Sequence, residues 1–288
     1  MHCSQTALKI LLCALCICAT SCLFSQGRPL AKSSTLQIEC IAVGQGNACL
    51  LRDNGQAMLL DAGPDSAGLL DSLRARGIDT LDGILLSHGH RDHCGGVWDI
   101  ADSLVIKQIW VGKDTVFEWS MDSTLRVASH LGIPVDTLSR GDTLPALGPW
   151  QSRILWPPSN VMVGDNGASL VVLVGEGSAS FLYVGDLGFE GEAGVLAREP
   201  DLHAALLQVG HHGSATSSSI RWLGQVNPDY AIICVGANND YGHPTAETLA
   251  RLQLVIGDSS HILRTDLDGT VNFTLSEGFG IWRTVTGP

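Results

Sequence analysis

The 288-residue sequence predicts an α+β fold, with two β-sheets packed face to face and helices outside. Three observations carry that prediction. Short apolar runs of β-type residues alternate with helical segments from Leu36 onward. Tight-turn signals separate those runs, among 33 glycines and 11 prolines, which argues against a helical bundle. Clusters rich in His and Asp follow several apolar runs, which places them at strand ends along one rim.

Residues 36–43, 48–51 and 57–60 read as strands linked in hairpin style, broken by Gly44-Gln45-Gly46 and Asp53-Asn54-Gly55. Residues 66–76 read as a helix stopped by Gly77, 84–86 as a buried strand, and 92–102 as the helix after it. Residues 105–111 are strand-like, and 115–131 form a helix stopped by Gly132. In the second half, 153–156 is a short strand, and 169–174 pairs with 180–184 around Gly175-Glu176-Gly177. Residues 204–209 and 230–235 read as strands, with a helix over 217–226 between them. A helix over 245–255 has Pro244 at its first position, and 262–264 and 270–275 close the chain as strands.

Composition bounds the function. With 45% hydrophobic and 16% charged residues, the chain supports one globular domain, expected over residues 36–288. A net charge of −12 with no basic run argues against bulk binding of duplex nucleic acid. Residues 1–26 are expected to be an export leader. Lys9 precedes the apolar run 10–19, too short to span a bilayer comfortably, and Ala19-Thr20-Ser21-Cys22 follows. That ending resembles a lipoprotein processing site with Cys22 as the lipidated residue; ordinary cleavage and an uncleaved anchor are the alternatives. The mature protein is then expected in the periplasm or at the cell surface, tied to a membrane only through a lipid on Cys22. Cys40 and Cys49 could pair across neighbouring strands, but the reading adopted is isolated buried thiols. Cys94 reads as a small residue in a buried helix.

The chemistry concentrates in Ser87-His88-Gly89-His90-Arg91-Asp92-His93-Cys94. His88 and His90 share one face of an extended segment, while Asp92 and His93 can turn towards a second point. Imidazole and carboxylate together suit a cation such as zinc. The apolar run 181–184 ends in Gly185-Asp186, delivering a carboxylate able to bridge two cations. His211 and His212 leave another strand, one as a ligand and its neighbour facing substrate. Hydroxyls from Ser214 to Ser219, with Ser214 and Ser217 foremost, offer contacts to an anion. His243, in a polar loop, is expected to reach the site.

Together these motifs resemble the metallo-β-lactamase superfamily, whose H-x-H-x-D-H signature is met by His88, His90, Asp92 and His93. The closer likeness is to the extracytoplasmic, lactamase-like domain of ComEC-type bacterial competence proteins. It rests on Ala42-Val43-Gly44-Gln45-Gly46-Asn47, Leu59-Leu60-Asp61-Ala62-Gly63, Val184-Gly185-Asp186, His211-His212-Gly213-Ser214 and Tyr241-Gly242-His243-Pro244, and runs from Leu36 to Phe273. The resemblance implies an αββα four-layer sandwich holding one or two Zn²⁺ ions, with Mn²⁺ as the alternative. His88 and His90 would hold the first ion, Asp92, His93 and His211 the second, and Asp186 would bridge. DNA uptake itself is not carried over. Asn166 stands where most hydrolases of the superfamily place a histidine, so it would face the site as a weak ligand or none. Ala42 and Asn47 replace two carboxylates of the closer group.

The activity this implies is hydrolysis by a metal-activated water. The expected substrate is a phosphodiester: a nucleotide, a short single-stranded nucleic acid or a cell-wall phosphoester. Asp92 and Asp186 belong to the catalytic centre, with Asp186 orienting the nucleophile. His212 or His243 stabilises charge or protonates the leaving group, and Asn166, Ser214 and Ser217 bind substrate. Two other readings stay open: a catalytically silent metal-binding surface module, and a lactam, lactone or thioester hydrolase.

Overall fold

The computed structural model describes residues 34–113, 118–160 and 164–284. The expected leader and Cys22 lie outside the described residues. In chain order the elements begin with β1 (Thr35–Cys40), β2 (Cys49–Asp53), β3 (Gln56–Leu60), α1 (Leu69–Ala75), β4 (Thr80–Leu81) and β5 (Gly83–Leu86). Next come α2 (Arg91–Cys94), α3 (Val97–Ile100), β6 (Val105–Ile106), β7 (Ile109–Gly112), α4 (Trp119–Leu131) and β8 (Val135–Leu138). The second half holds β9 (Ser152–Trp156), β10 (Val171–Glu176), β11 (Ala179–Tyr183), α5 (Phe189–Leu196), β12 (Leu206–Gln208) and α6 (Ile220–Val226). It continues with β13 (Tyr230–Ile233), α7 (Ala246–Ile256), β14 (Ile262–Arg264), α8 (Thr265–Asp268), β15 (Val271–Ser276) and β16 (Gly280–Arg283).

One sheet runs β16-β15-β1-β2-β3-β5-β7-β8 and the other β14-β13-β12-β11-β10-β9, with β4 and β6 pairing separately. The strand period of two explains the layering. In the first sheet Leu36, Ile38, Leu51, Met58, Leu60 and Leu85 face the second sheet, where Val172, Phe181, Tyr183 and Ile232 meet them. The alternate residues Leu50, Leu59, Ile84 and Leu86 turn outward onto Leu69, Leu73, Val97 and Ala128 of the first helical layer. In the second sheet Leu173, Leu182, Leu207 and Ile233 turn outward onto Val195, Trp222, Leu223 and Leu252. Both faces of the central strands are therefore dry, which is why those strands read as continuous apolar runs. Each fully buried Leu or Ile contributes about 1.5–3 kcal/mol. The protein is an αββα sandwich.

Several boundaries differ from those expected. The helix placed over 92–102 is two short helices, α2 and α3, separated by Gly95 and Gly96. Pro244 does not open α7; Thr245 is its N-cap, accepting from the Thr248 amide. Cys40 and Cys49, read as isolated thiols, face each other across β1 and β2 and form a disulfide. Direct opposition in an antiparallel pair brings the two Cα atoms to 4.2 Å, close enough for the bond. Cys94 and Cys234 stay free and buried. Among the described residues no helix is long and apolar enough to cross a membrane.

The parallel strands position the site. β3, β5, β7 and β8 run parallel, as do β11, β12, β13 and β14. The carboxyl ends of β3, β5, β11 and β12 lead directly into Asp61, His88, Asp186 and His211-His212. Such strand ends are where open crevices form in parallel sheets.

Candidate metal centre

His88, fully buried, leaves β5 with its Nε2 2.9 Å from His90 Nδ1 and 4.0 Å from Asp186 Oδ2. These three side chains form one group of converging ligand atoms, all within 4.8 Å of one another. Asp92, His93 and His212 form a second such group. Asp186 lies against both, with Oδ1 3.2 Å from His93 Nε2 and Oδ2 3.5 Å from His212 Nε2. Gly185 makes this approach possible. Its φ is +54°, and a Cβ there would sit 2.8 Å from Ser87 Cβ.

Each histidine is held by its far nitrogen. His93 Nδ1 is 2.6 Å from Asp61 Oδ2, which also accepts from Ser87 Oγ at 2.7 Å and Tyr183 Oη at 2.5 Å. Asp61 thus fixes the His93 ring and turns Nε2 towards Asp186 and Asp92. His212 Nδ1 donates to the Cys234 carbonyl at 2.8 Å, leaving Nε2 3.2 Å from Asp92 Oδ2. Ser87 Oγ lies 3.0 Å from His88 Nδ1.

The donor set fits a cation. His93 Nε2 and Asp186 Oδ1 are buried without a hydrogen-bond partner. Two such atoms 3.2 Å apart need a positive charge between them, a proton on Nε2 in the bare site or a metal cation in its place. Charges in the bare cluster show the same demand. Burial alone would raise the Asp186 carboxyl, yet His212 and His93 hold it well below its ordinary value. Asp92 behaves alike: burial opposes ionisation, and the charge of His93 with the hydrogen bond from His212 lowers its pKa. Burial disfavours charge on His93, but Asp186, Asp61 and Asp92 raise it well above the usual imidazole value. His88 moves the other way, lowered by burial and then by the charge of His93.

The two adjacent histidines exchange the places expected for them. His211, expected to ligate, stands outside the second group, with Nε2 3.7 Å from Asp186 Oδ2 and Asn166 Nδ2 3.3 Å away. His212, expected to face substrate, is the buried one. Both residues adopt positive φ, 49° and 52°, so strand alternation does not apply to them. Asn166 lies against His211 rather than against His88 or His90. Ser217 is fully buried and donates to the Gly210 carbonyl at 2.6 Å. Ser214 is buried and pairs with Thr216 at 3.1 Å. Neither serine, both expected to bind substrate, is among the residues that line the cavity beside the cluster.

A cavity of ≈ 370 Å³ opens beside the cluster, lined by His90, Asp92, Asp186, His211, His212 and His243. His243 lines it too, its ring 5.7 Å from that of His211 and stacked on Tyr241. Gln45, Arg91, Glu118, Trp119, Ser120 and Tyr241 complete the wall. Asp61 was visible only as part of a motif, because nothing local shows that a residue 32 positions away orients His93. Ala42 is exposed, and Asn47 is fully buried.

A family model for the metallo-beta-lactamase superfamily matches residues 41–237. The chain belongs to the metallo-β-lactamase superfamily. Most members of that superfamily are metal-dependent hydrolases. The chain is 31% identical over 268 residues to ComE operon protein 3 of Bacillus subtilis, covering 86% of this chain and 34% of that one. It is 31% identical over 239 residues to competence protein ComA of Neisseria gonorrhoeae, covering 82% and 32% respectively. The chain thus spans about a third of the length of these relatives, and the likeness to ComEC-type competence proteins is confirmed. Among solved structures, the metallo-beta-lactamase fold protein YhfI from Bacillus subtilis superimposes with a TM-score of 0.52 at 14% identity, over 87% of this chain and 100% of that one. That likeness shows the shared superfamily fold.

Proposed function

We propose that this protein is a metal-dependent phosphodiesterase of the periplasm or cell surface, acting on a nucleotide, a short single-stranded nucleic acid or a cell-wall phosphoester. The observation that carries this reading is the buried Asp186 carboxylate set between two groups of histidine and aspartate donors. His88, His90 and Asp186 would hold one Zn²⁺ or Mn²⁺ ion, and Asp92, His93, His212 and Asp186 the other. When bound, the ions supply Lewis acidity and lower the pKa of water from about 15.7 towards about 7.

The chain's own groups do the rest. Asp186, buried and ionised, is the acceptor that orients an attacking water at the cavity floor. His211 and His243 also form part of the cavity wall, and His243 Nδ1 has no hydrogen-bond partner. One of these rings can pass a proton to a departing alkoxide or hold the ester oxygen. Histidine donors on this wall, rather than serine hydroxyls, support a phosphoester as substrate. Replacing His88 and His90 with Ala should abolish turnover of a bis-aryl phosphodiester in added Zn²⁺ or Mn²⁺; undiminished turnover would end the proposal.

A further inference from the structure

We infer that Asp165, assisted by Glu118, is a positioning residue that fixes the ring of His90 so that its Nδ1 faces the first metal. The two nitrogens of this ring lie in different surroundings. Nδ1 is 2.9 Å from His88 Nε2, on the side where His88, His90 and Asp186 converge. Nε2 points the other way, 2.8 Å from Asp165 Oδ1 and 3.8 Å from Glu118 Oε1. An ionised carboxylate can only accept a hydrogen bond. The pair therefore retains the proton on Nε2 and leaves the Nδ1 lone pair free for a cation. Asp61 does the same for His93 and the Cys234 carbonyl for His212, so each of these three rings is oriented by an acceptor on its far nitrogen.

Local structure aims both carboxylates. Asp165 has φ +53° and opens a short 3-10 turn over Asp165–Ala168. In that turn Asp165 serves His90 while its neighbour Asn166 serves His211. Glu118 is the N-cap of α4, but its side chain makes no capping bond and is directed to His90 instead. The first turn of α4 grips the same loop, because Ser120 Oγ donates to the Gly89 carbonyl at 2.9 Å.

This inference rests on the two-metal reading, and the experiment separates the two. Zinc content and zinc affinity, the latter by chelator competition, are measured for the parent, His88→Ala, Asp165→Ala, Asp165→Asn and the double variant Asp165→Ala/Glu118→Ala. The parent should bind metal and His88→Ala should lose an equivalent. Asp165→Ala should hold the first ion ~10–100-fold more weakly, and the double variant more weakly still. Asp165→Asn should recover part of the loss, since its amide oxygen still accepts from Nε2. Saturated with Co²⁺, Asp165→Ala should show the parental visible spectrum, because no ligand has been removed. A double variant with parental zinc affinity overturns the assignment, as does an altered Co²⁺ spectrum, which would make Asp165 a ligand. A parent that binds no metal overturns the hydrolase reading along with it.

Discussion

Asp61 bears on three residues at once, since its carboxylate accepts from Ser87, Tyr183 and His93 in a fully buried setting. Removing one partner of such a buried pair leaves the other uncompensated, a loss of about 3–5 kcal/mol. Asp61→Ala should therefore lower the denaturant midpoint of the metal-free protein as well as its zinc affinity; an unchanged midpoint would show that His93 is satisfied elsewhere. The cluster also sets a pH dependence. In the bare site the His93 and His212 pKa values lie above the ordinary imidazole value of about 6.5, after burial has worked against them, because Asp186 and Asp92 attract the protonated rings. A raised folded pKa contributes stability that is complete below the unfolded value and is lost as pH rises through the folded one. Metal requires both rings deprotonated. As pH rises above the ordinary imidazole value of about 6.5, zinc affinity should rise while the Tm of the metal-free protein falls. Zinc titration and thermal melts across that range test both signs. At this scale the sequence showed His88, His90, Asp92 and His93 because they are close in the chain. It hid the exchange of His211 and His212, which depends on two consecutive left-handed backbones at non-glycine residues; the flanking Gly210 and Gly213 mark a turn but not the conformation of the histidines between them.

Among the elements, the loop from β5 to α2 depends on the start of α4. A Cβ on Gly89 would lie 2.7 Å from Glu118 Cβ and 3.3 Å from Met121 Cβ, both near the helix backbone and unable to swing away. Gly89→Ala should thus push α4 off the loop, with a loss of about 1–3 kcal/mol and weaker zinc binding. Urea unfolding with a parallel zinc titration checks it; wild-type values for both would mean that the helix yields freely. The strands were legible because their apolar runs are dry on both faces. The helices were less so. The expected helix after the histidines divides because the Gly96 amide donates to the Gly63 carbonyl and the Asp92 and His93 carbonyls accept from Asn47 and Ala62. Only glycine allows this approach, since a Cβ on Gly96 would come within 2.0 Å of the Ala62 carbonyl oxygen. α5, in the sequence Phe-Glu-Gly-Glu-Ala-Gly-Val-Leu, was not anticipated, since two glycines weaken its helical signal and packing on the second sheet supplies the order.

For the molecule as a whole, the two-sheet architecture followed from the alternation of short strands and helices, but the disulfide that ties β1 to β2 did not. Cys40 and Cys49 are nine residues apart, and only the register that places them opposite one another reveals the bond. A crosslink over so short a loop contributes ~2–4 kcal/mol by restricting the unfolded chain. The Cys40→Ala/Cys49→Ala variant should unfold at correspondingly lower urea concentration. A parent whose midpoint is the same with and without reductant would argue that the thiols stay unpaired.

The donors come from both halves of the chain: His88, His90, Asp92 and His93 precede β9, while Asp186 and His212 follow it. Neither half alone carries a complete coordination sphere. A protein nicked between β8 and β9 should behave as a zinc-dependent split pair, its fragments held more tightly when the ion is present and loosened by a chelator.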